Sequence, residues 1–119
     1  MNSYHFPRKL RLLKSKEFHL VLRQSIKINK SHIIMLYYPN CYKYARLGFI
    51  ISKHNVKYSY QRNRIKRLIR ESFRLTQNKL PSMDFIIIIK KTISLMKNKI
   101  IMEKIQQLWN YYLLASKNP

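Results

Sequence analysis

The sequence predicts a mixed α/β (α+β) fold with its elements in the order α-β-β-α-β-α. Segments rich in β-branched and aromatic residues alternate with segments in which apolar residues recur every three or four positions. A length of 119 residues is enough for one hydrophobic core and too short for two ordinary domains. We therefore expect residues 1–119 to form a single domain whose helices and sheet pack in two or three layers.

The chain is predicted to begin with a basic N-terminal arm, residues 1–13, followed by a short amphipathic helix over 15–24. The arm has no clear hydrophobic period, whereas Phe18 and Leu22 are four residues apart on one helical face. Ser15 is a plausible N-cap for this helix. Packing of the helix against the sheet is then the main expected role of Phe18, and stacking on a base is the alternative.

Three segments are predicted to be strands. Residues 32–38 end at a Pro-Asn turn and residues 46–52 follow soon after, so these two strands are predicted to pair as an antiparallel hairpin. Residues 83–90 form a continuous β-branched run, which is typical of a strand that is buried on both faces and central in its sheet.

Two longer helices complete the prediction. The first covers 59–76 and stops before Asn78 and Pro81, which disfavour its continuation. The second closes the chain, and its apolar residues lie on one stripe: Ile101, Ile105, Leu108, Trp109 and Tyr112.

The charge balance indicates a polyanionic partner. Lys and Arg total 25 against four acidic residues, which gives a formal net charge of +21. Nucleic acid is the first candidate and an anionic membrane surface is the second. The longest strongly apolar run, 85–89, is far below the length of a membrane span, and the single cysteine, Cys41, cannot form an intramolecular disulfide. We expect a cytoplasmic protein.

The helix over 59–76 combines a core face with the highest concentration of positive charge in the chain. At about 100° per residue, Ile65, Leu68, Ile69 and Phe73 share one side. The opposite side carries Lys66, Arg67, Arg70 and Arg74, with Asn63 near its middle. A charged helical face can be ordinary solvated surface, but such faces normally mix charge signs and this one contains a single acid, Glu71. Forked guanidinium donors favour binding of phosphate oxygens.

Two further groups of residues have both a functional and a structural interpretation. Ser52 and Lys53 follow the second predicted strand and could meet a phosphate or simply form a polar strand exit. A tyrosine-rich stretch interleaved with cations could form a base-stacking surface or reflect a general excess of tyrosine; it contains Tyr37, Tyr38, Tyr42 and Tyr44 with Lys43 and Arg46. No carboxylate cluster or glycine-rich phosphate loop occurs, so we predict no catalytic residue and no metal ligand in this chain.

The basic helix resembles the signature of the protein component of bacterial ribonuclease P, of the enterobacterial type. That signature is R-N-x-x-K-R-x-x-R, which matches Arg62, Asn63, Lys66, Arg67 and Arg70. The resemblance extends in order over nearly the whole chain, through "FPRKLRLLKSKEF", "RLGFIISK" and "LPSMDFIIIIKK".

The resemblance implies a two-layer sandwich with a left-handed βαβ crossover, although such connections are usually right-handed. It also implies that an RNA subunit performs the hydrolysis with Mg²⁺, that the protein itself binds no cofactor, and that one protein joins each RNA subunit. The implied partners are this catalytic RNA and precursor tRNA, without a membrane. A ribosomal or other non-catalytic RNA-binding protein is the alternative.

The resemblance further implies two sets of RNA-binding residues. The set facing the catalytic RNA is Arg62, Asn63, Arg64, Lys66, Arg67 and Arg70. The set facing the 5′ leader of the precursor is Phe18, Ser52 and Lys53. Leu22 and His54 depart from the aromatic residue and the lysine that the family often has at these positions.

Overall fold

The structure, a computed structural model, describes residues 22–23, 25–30 and 32–117. It contains four strands and two α-helices: β1 (Ile26–Lys30), β2 (Ile33–Pro39), β3 (Arg46–Ile50), α1 (Ser59–Thr76), β4 (Met83–Ile89) and α2 (Asn98–Lys117). Short 3₁₀ turns, Gln77–Lys79 and Lys91–Leu95, follow α1 and β4. The mixed α+β class predicted from the sequence is confirmed.

The four strands form one sheet in the order β1-β2-β4-β3. β2 pairs with β1 and with β4 in antiparallel fashion, whereas β3 and β4 are parallel and are joined through α1. β4 is therefore central, as its apolar run predicts, and its neighbouring residues Ile86 and Ile87 are both fully buried although they point to opposite faces. The β3-α1-β4 crossover is present, and its left-handedness stays a prediction.

The predicted hairpin between residues 32–38 and 46–52 is wrong, because β4 lies between β2 and β3. A strand that is apolar on both faces buries the most apolar surface in the central position. This preference outweighs the short connection between β2 and β3, which alone would favour their pairing. β2 instead forms a hairpin with β1, a strand absent from the prediction. Only Ile28 of β1 is buried, so its short "IKINK" pattern gave a weak signal.

The predicted arm, 1–13, lies outside the described residues. The same is true of the predicted first helix, 15–24, except for Leu22 and Arg23, which are both helical and exposed.

The core holds α1 and α2 against one face of the sheet. The predicted inner residues of α2 are all buried, and so are Ile65, Ile69 and Phe73 of α1. Trp109 of α2 packs edge-on against Phe73, and its indole N–H donates to the Ser72 hydroxyl at 3.0 Å. The Ser72 hydroxyl in turn donates to the Ile69 carbonyl at 2.8 Å. These contacts fix the rotation of α1 about its axis and therefore the direction of its outer face.

A buried ion pair joins the parallel strands. The Arg46 guanidinium donates from Nε and Nη2 to the two carboxylate oxygens of Asp84 at 2.8 and 2.7 Å, and the Asn40 amide donates to Asp84 at 2.8 Å. Arg46 and Asp84 are also register partners in the ladder. Because the carboxylate accepts three hydrogen bonds, this buried charge is well paired.

Replacing Asp84 with Ala is expected to lower the free energy of unfolding by about 3–5 kcal/mol, because the buried Arg46 guanidinium would lose its counter-charge. Urea denaturation followed by circular dichroism measures this loss. Glu71→Ala is the matched control, since it removes the carboxylate of the partly exposed Glu71–Arg74 pair, and we expect it to cost less than about 1 kcal/mol. Equal losses in the two variants would contradict the importance of burial.

Candidate nucleic-acid interface

The outer face of α1 is the main concentration of positive charge among the described residues. The helix begins after Tyr58, which has an extended backbone, and it has no acidic residue in its first turn. Its side chains fall into two groups: some are held by hydrogen bonds within the fold, and others have none.

Arg62 and Arg64 both have structural hydrogen bonds at the start of α1. Nη1 of Arg62 donates to the carbonyls of Val56 and Lys57, both at 2.9 Å, and so fastens the loop that enters the helix. Nη1 of Arg64 donates to the Met96 carbonyl at 3.2 Å and to the Asn98 side chain, which ties α1 to the start of α2. All four of these acceptors are uncharged.

Arg70 and Arg74 lie toward the C-terminal end of α1. The Arg70 guanidinium is 5.9 Å from the ring of Phe49 on β3, and its Nε donates to the Lys66 carbonyl at 3.4 Å. Arg74 donates to the carboxylate of Glu71, at 3.1 Å from Nε. This hydrogen bond and the charge of Arg74 hold the pKa of Glu71 below its usual value, against a smaller opposing effect of burial. Glu71 therefore neutralises part of the face only at this end.

Asn63, Lys66 and Arg67 form the available centre of the face. None of the three side chains has a hydrogen bond or an ion pair with another described residue; Asn63 and Arg67 are exposed, and Lys66 is half-buried. Lys66 and Arg67 lie three and four positions after Asn63, so the side chain of each is a neighbour of Asn63 on the helix. The structure thus brings together the residues that the helical wheel places at the middle of the basic face.

The structure describes two of the three residues of the implied leader set. Ser52 and Lys53 lie in the exposed loop between β3 and α1. The Ser52 hydroxyl accepts a hydrogen bond from the Asn55 backbone N–H at 3.1 Å, and its carbonyl accepts one from Val56 at 2.9 Å. Ser52 therefore has a turn-forming role in this loop. Phe18 lies outside the described residues.

The tyrosine-rich stretch does not form one continuous stacking surface, although the rings of Tyr42 and Tyr44 lie 5.5 Å apart in a tilted contact. Tyr37 packs in the core, with its ring 4.8 Å from that of Tyr112 in an edge-on contact, whereas Tyr38 belongs to the cluster on the opposite face of the sheet. Arg46 is buried with Asp84, and its guanidinium lies 4.2 Å from the Tyr42 ring. The alternation of strand residues separates neighbours in sequence onto opposite faces.

A different tyrosine pair was missed. Tyr58 and Tyr60, at the start of α1, have their ring centroids 5.7 Å apart and their planes within 21°. Both side chains are exposed. The sequence signal was the pattern Y-S-Y, which is separated from the basic signature by one residue, Gln61.

Metal-binding clusters and membrane-spanning helices are both absent from the described part of the chain. Its residues contain no group of three or more His, Cys, Asp or Glu side chains that could hold a metal ion. None of its helices combines the length and the apolar character needed to cross a membrane.

A rigidly anchored helix with a strongly basic outer face, on a mixed sheet, defines a nucleic-acid-binding α/β protein. The profile of the family described as Ribonuclease P matches residues 6–113. The chain therefore belongs to the ribonuclease P protein family.

Individual relatives agree with this assignment. The chain is 45% identical to the ribonuclease P protein component of Buchnera aphidicola subsp. Schizaphis graminum over 112 residues, 94% of this chain and 98% of that protein. It is 39% identical to the Escherichia coli O6:H1 protein component over 114 residues, 96% of each chain. The enterobacterial resemblance is thus confirmed.

Solved structures show the same fold. The RNase P protein of Staphylococcus aureus superimposes with a TM-score of 0.82 at 22% identity, over 87% of this chain and 94% of that one. The protein from Thermotoga maritima gives a TM-score of 0.73 at 25% identity, over 83% and 94% of the two chains. The chain is a protein subunit of ribonuclease P, the endoribonuclease that processes tRNA, and its partner is the RNA subunit.

Proposed function

We propose that the outer face of α1 binds the catalytic RNA, with Asn63, Lys66 and Arg67 making the central contacts. The observation that carries this proposal is that these three side chains have no partner among the described residues, while the core fixes the helix beneath them. Arg62, Arg64 and Arg70 complete the set, and hydrogen bonds to neutral acceptors orient their guanidinium groups.

The 5′ leader of precursor tRNA is proposed to meet Phe18, Ser52 and Lys53. Lys53 is exposed beside the start of α1, which supports a phosphate contact there. Since the Ser52 hydroxyl already accepts a hydrogen bond from Asn55, its free capacity is to donate one, and a phosphate or sugar oxygen would accept it.

Hydrolysis is proposed to be carried by the RNA subunit with Mg²⁺, and the protein is proposed to bind no cofactor. The acids Glu71 and Asp84 both pair with arginines, so neither offers a carboxylate free for a metal ion. The contribution of the protein is then electrostatic: its positive charge lowers the repulsion between the catalytic RNA and the precursor.

The stoichiometry, location and domain content of the protein are proposed as well. One protein is proposed to bind each RNA subunit in the cytoplasm. Residues 1–119 are proposed to form one domain, in which the basic arm, 1–13, adds charge for the RNA.

Cleavage of precursor tRNA by the cognate RNA subunit tests this function. The protein is expected to lower the Mg²⁺ concentration that supports half-maximal cleavage, because its cations replace part of the counter-charge. Arg67→Ala should raise that concentration again. Lys104→Ala, which removes an equal charge from α2, should leave it at the value of the unaltered protein.

An unaltered Mg²⁺ requirement in the presence of protein would overturn the proposal. Native purification followed by sequencing of the bound RNA separates it from the ribosomal alternative. Recovery of one RNA of the ribonuclease P type supports the proposal, and recovery of ribosomal subunits would support the alternative.

A further inference from the structure

Tyr58 and Tyr60 form an exposed, nearly parallel ring pair at the start of α1. Tyr58 is 50% exposed and Tyr60 is 67% exposed, and their ring planes differ by only 21°. Tyr37 and Tyr112, in contrast, are packed edge-on within the core. An exposed aromatic pair that is already stacked is suited to extend its stack by a further flat ring.

Hydrogen bonds fix the backbone that carries this ring pair. The amides of Gln61 and Arg62 both donate to the Tyr58 carbonyl at 3.1 Å. The Arg62 guanidinium also fixes the carbonyls of Val56 and Lys57, directly before Tyr58. The loop and the first turn of α1 are therefore tied together, so a ligand would find the backbone that carries both rings already positioned and would lose less entropy on binding.

The ring pair lies at the start of the basic face of α1. Tyr60 lies three residues before Asn63 and seven before Arg67, so the three side chains project from one side of α1. Seven residues of helix rise about 10 Å, so Tyr60 and Arg67 are close enough to contact the same short stretch of one RNA strand. The Lys57 ammonium is 5.4 Å from the Tyr58 ring, and residues 57–70 contain no acid.

We propose that Tyr58 and Tyr60 stack an unpaired base of the RNA whose backbone lies along Asn63 and Arg67. This inference rests on the proposed RNA-binding role of α1. Every base offers a flat face for stacking, but only an unpaired base can leave its own stack to use the outer face of Tyr60. The pair therefore adds a preference for single-stranded RNA to a helix whose cations bind phosphate without regard to pairing.

Two RNA probes test the proposal: a single strand of about twelve nucleotides, and a duplex that contains the same sequence. Fluorescence anisotropy measures their affinity for the full-length protein. Tyr60→Ala is expected to weaken binding of the single strand about tenfold and to leave duplex binding within about twofold. Tyr60→Trp should retain the affinity, and its indole fluorescence should be quenched by the single strand.

The matched control is Tyr111→Ala, which removes a similarly exposed tyrosine from α2 and should change neither affinity. Because stacking releases no counter-ions, Tyr60→Ala should also keep the salt dependence of the unaltered protein. Near-ultraviolet circular dichroism, which reports on the buried Trp109, checks that each variant is folded.

The outcomes distinguish this inference from the function on which it rests. If the unaltered protein binds both probes and Tyr60→Ala binds the single strand equally well, stacking is excluded and the RNA-binding helix stands. An equal loss for both probes would also exclude stacking, since a paired base has no free face. If the unaltered protein binds neither probe in a salt-dependent way, the RNA-binding role of α1 itself fails.

Discussion

The affinity of the protein for its RNA is expected to fall about 10³-fold between 50 and 200 mM monovalent salt. About six phosphate contacts by the face of α1 would release enough counter-ions to give this dependence. Arg67→Ala should lower the slope of log affinity against log salt by about one unit, because one phosphate contact is lost. Filter binding at several salt concentrations measures the slope.

Lys104→Ala is the control for this measurement, since it removes the same charge from a hollow between α2 and the β1–β2 turn, lined in part by Lys30 and His32. Its slope should equal that of the unaltered protein. If Arg67→Ala has the slope of the unaltered protein, Arg67 does not contact phosphate. If Lys104→Ala and Arg67→Ala reduce the slope equally, the charge acts through the whole molecule and not through the face of α1.

Ile69→Asp is expected to unfold the protein. Ile69 is fully buried, so its loss removes packing worth about 2–5 kcal/mol and places a carboxylate where it has no charged partner. The sum approaches the whole stability of an ordinary domain, about 5–15 kcal/mol. Thermal denaturation followed by circular dichroism should show no cooperative transition for this variant.

Leu75→Asp is a matched control on the same helix, because it introduces the same carboxylate at a half-exposed leucine. Its free energy of unfolding should change by less than about 1 kcal/mol. A cooperative transition of Ile69→Asp near that of Leu75→Asp would contradict the position of Ile69 in the core.

Local patterns predicted α1 and β4 well. The apolar period and the residues that end the helix specify Ser59–Thr76, which the structure reproduces with the same bounds. The apolar run of β4 likewise predicted its central position. Pairing of strands depends on burial across the whole sheet, so the proximity of β2 and β3 in sequence was misleading. β1 was missed because a single buried side chain, Ile28, distinguishes it.

The candidate interface could be predicted only where it depends on the helical period. The helical period gives the direction of Asn63 and Arg67, which depends only on neighbours along the helix. It cannot show that Arg64 donates to Asn98, 34 residues later, because that contact depends on how α2 packs. The Tyr58–Tyr60 stack depends on the conformation of the loop before α1, which has no periodic signal.

The hydrogen bond from Trp109 to Ser72 has a consequence for genetics. A screen for mutants defective in tRNA maturation should recover changes at both residues, although neither side chain is accessible to a ligand. Such alleles would act by turning or loosening α1, so a compensating change could lie in either helix. Mapping of mutations alone would then suggest that α2 is a second RNA-contacting surface. Its role is instead to support α1, which carries the contact surface.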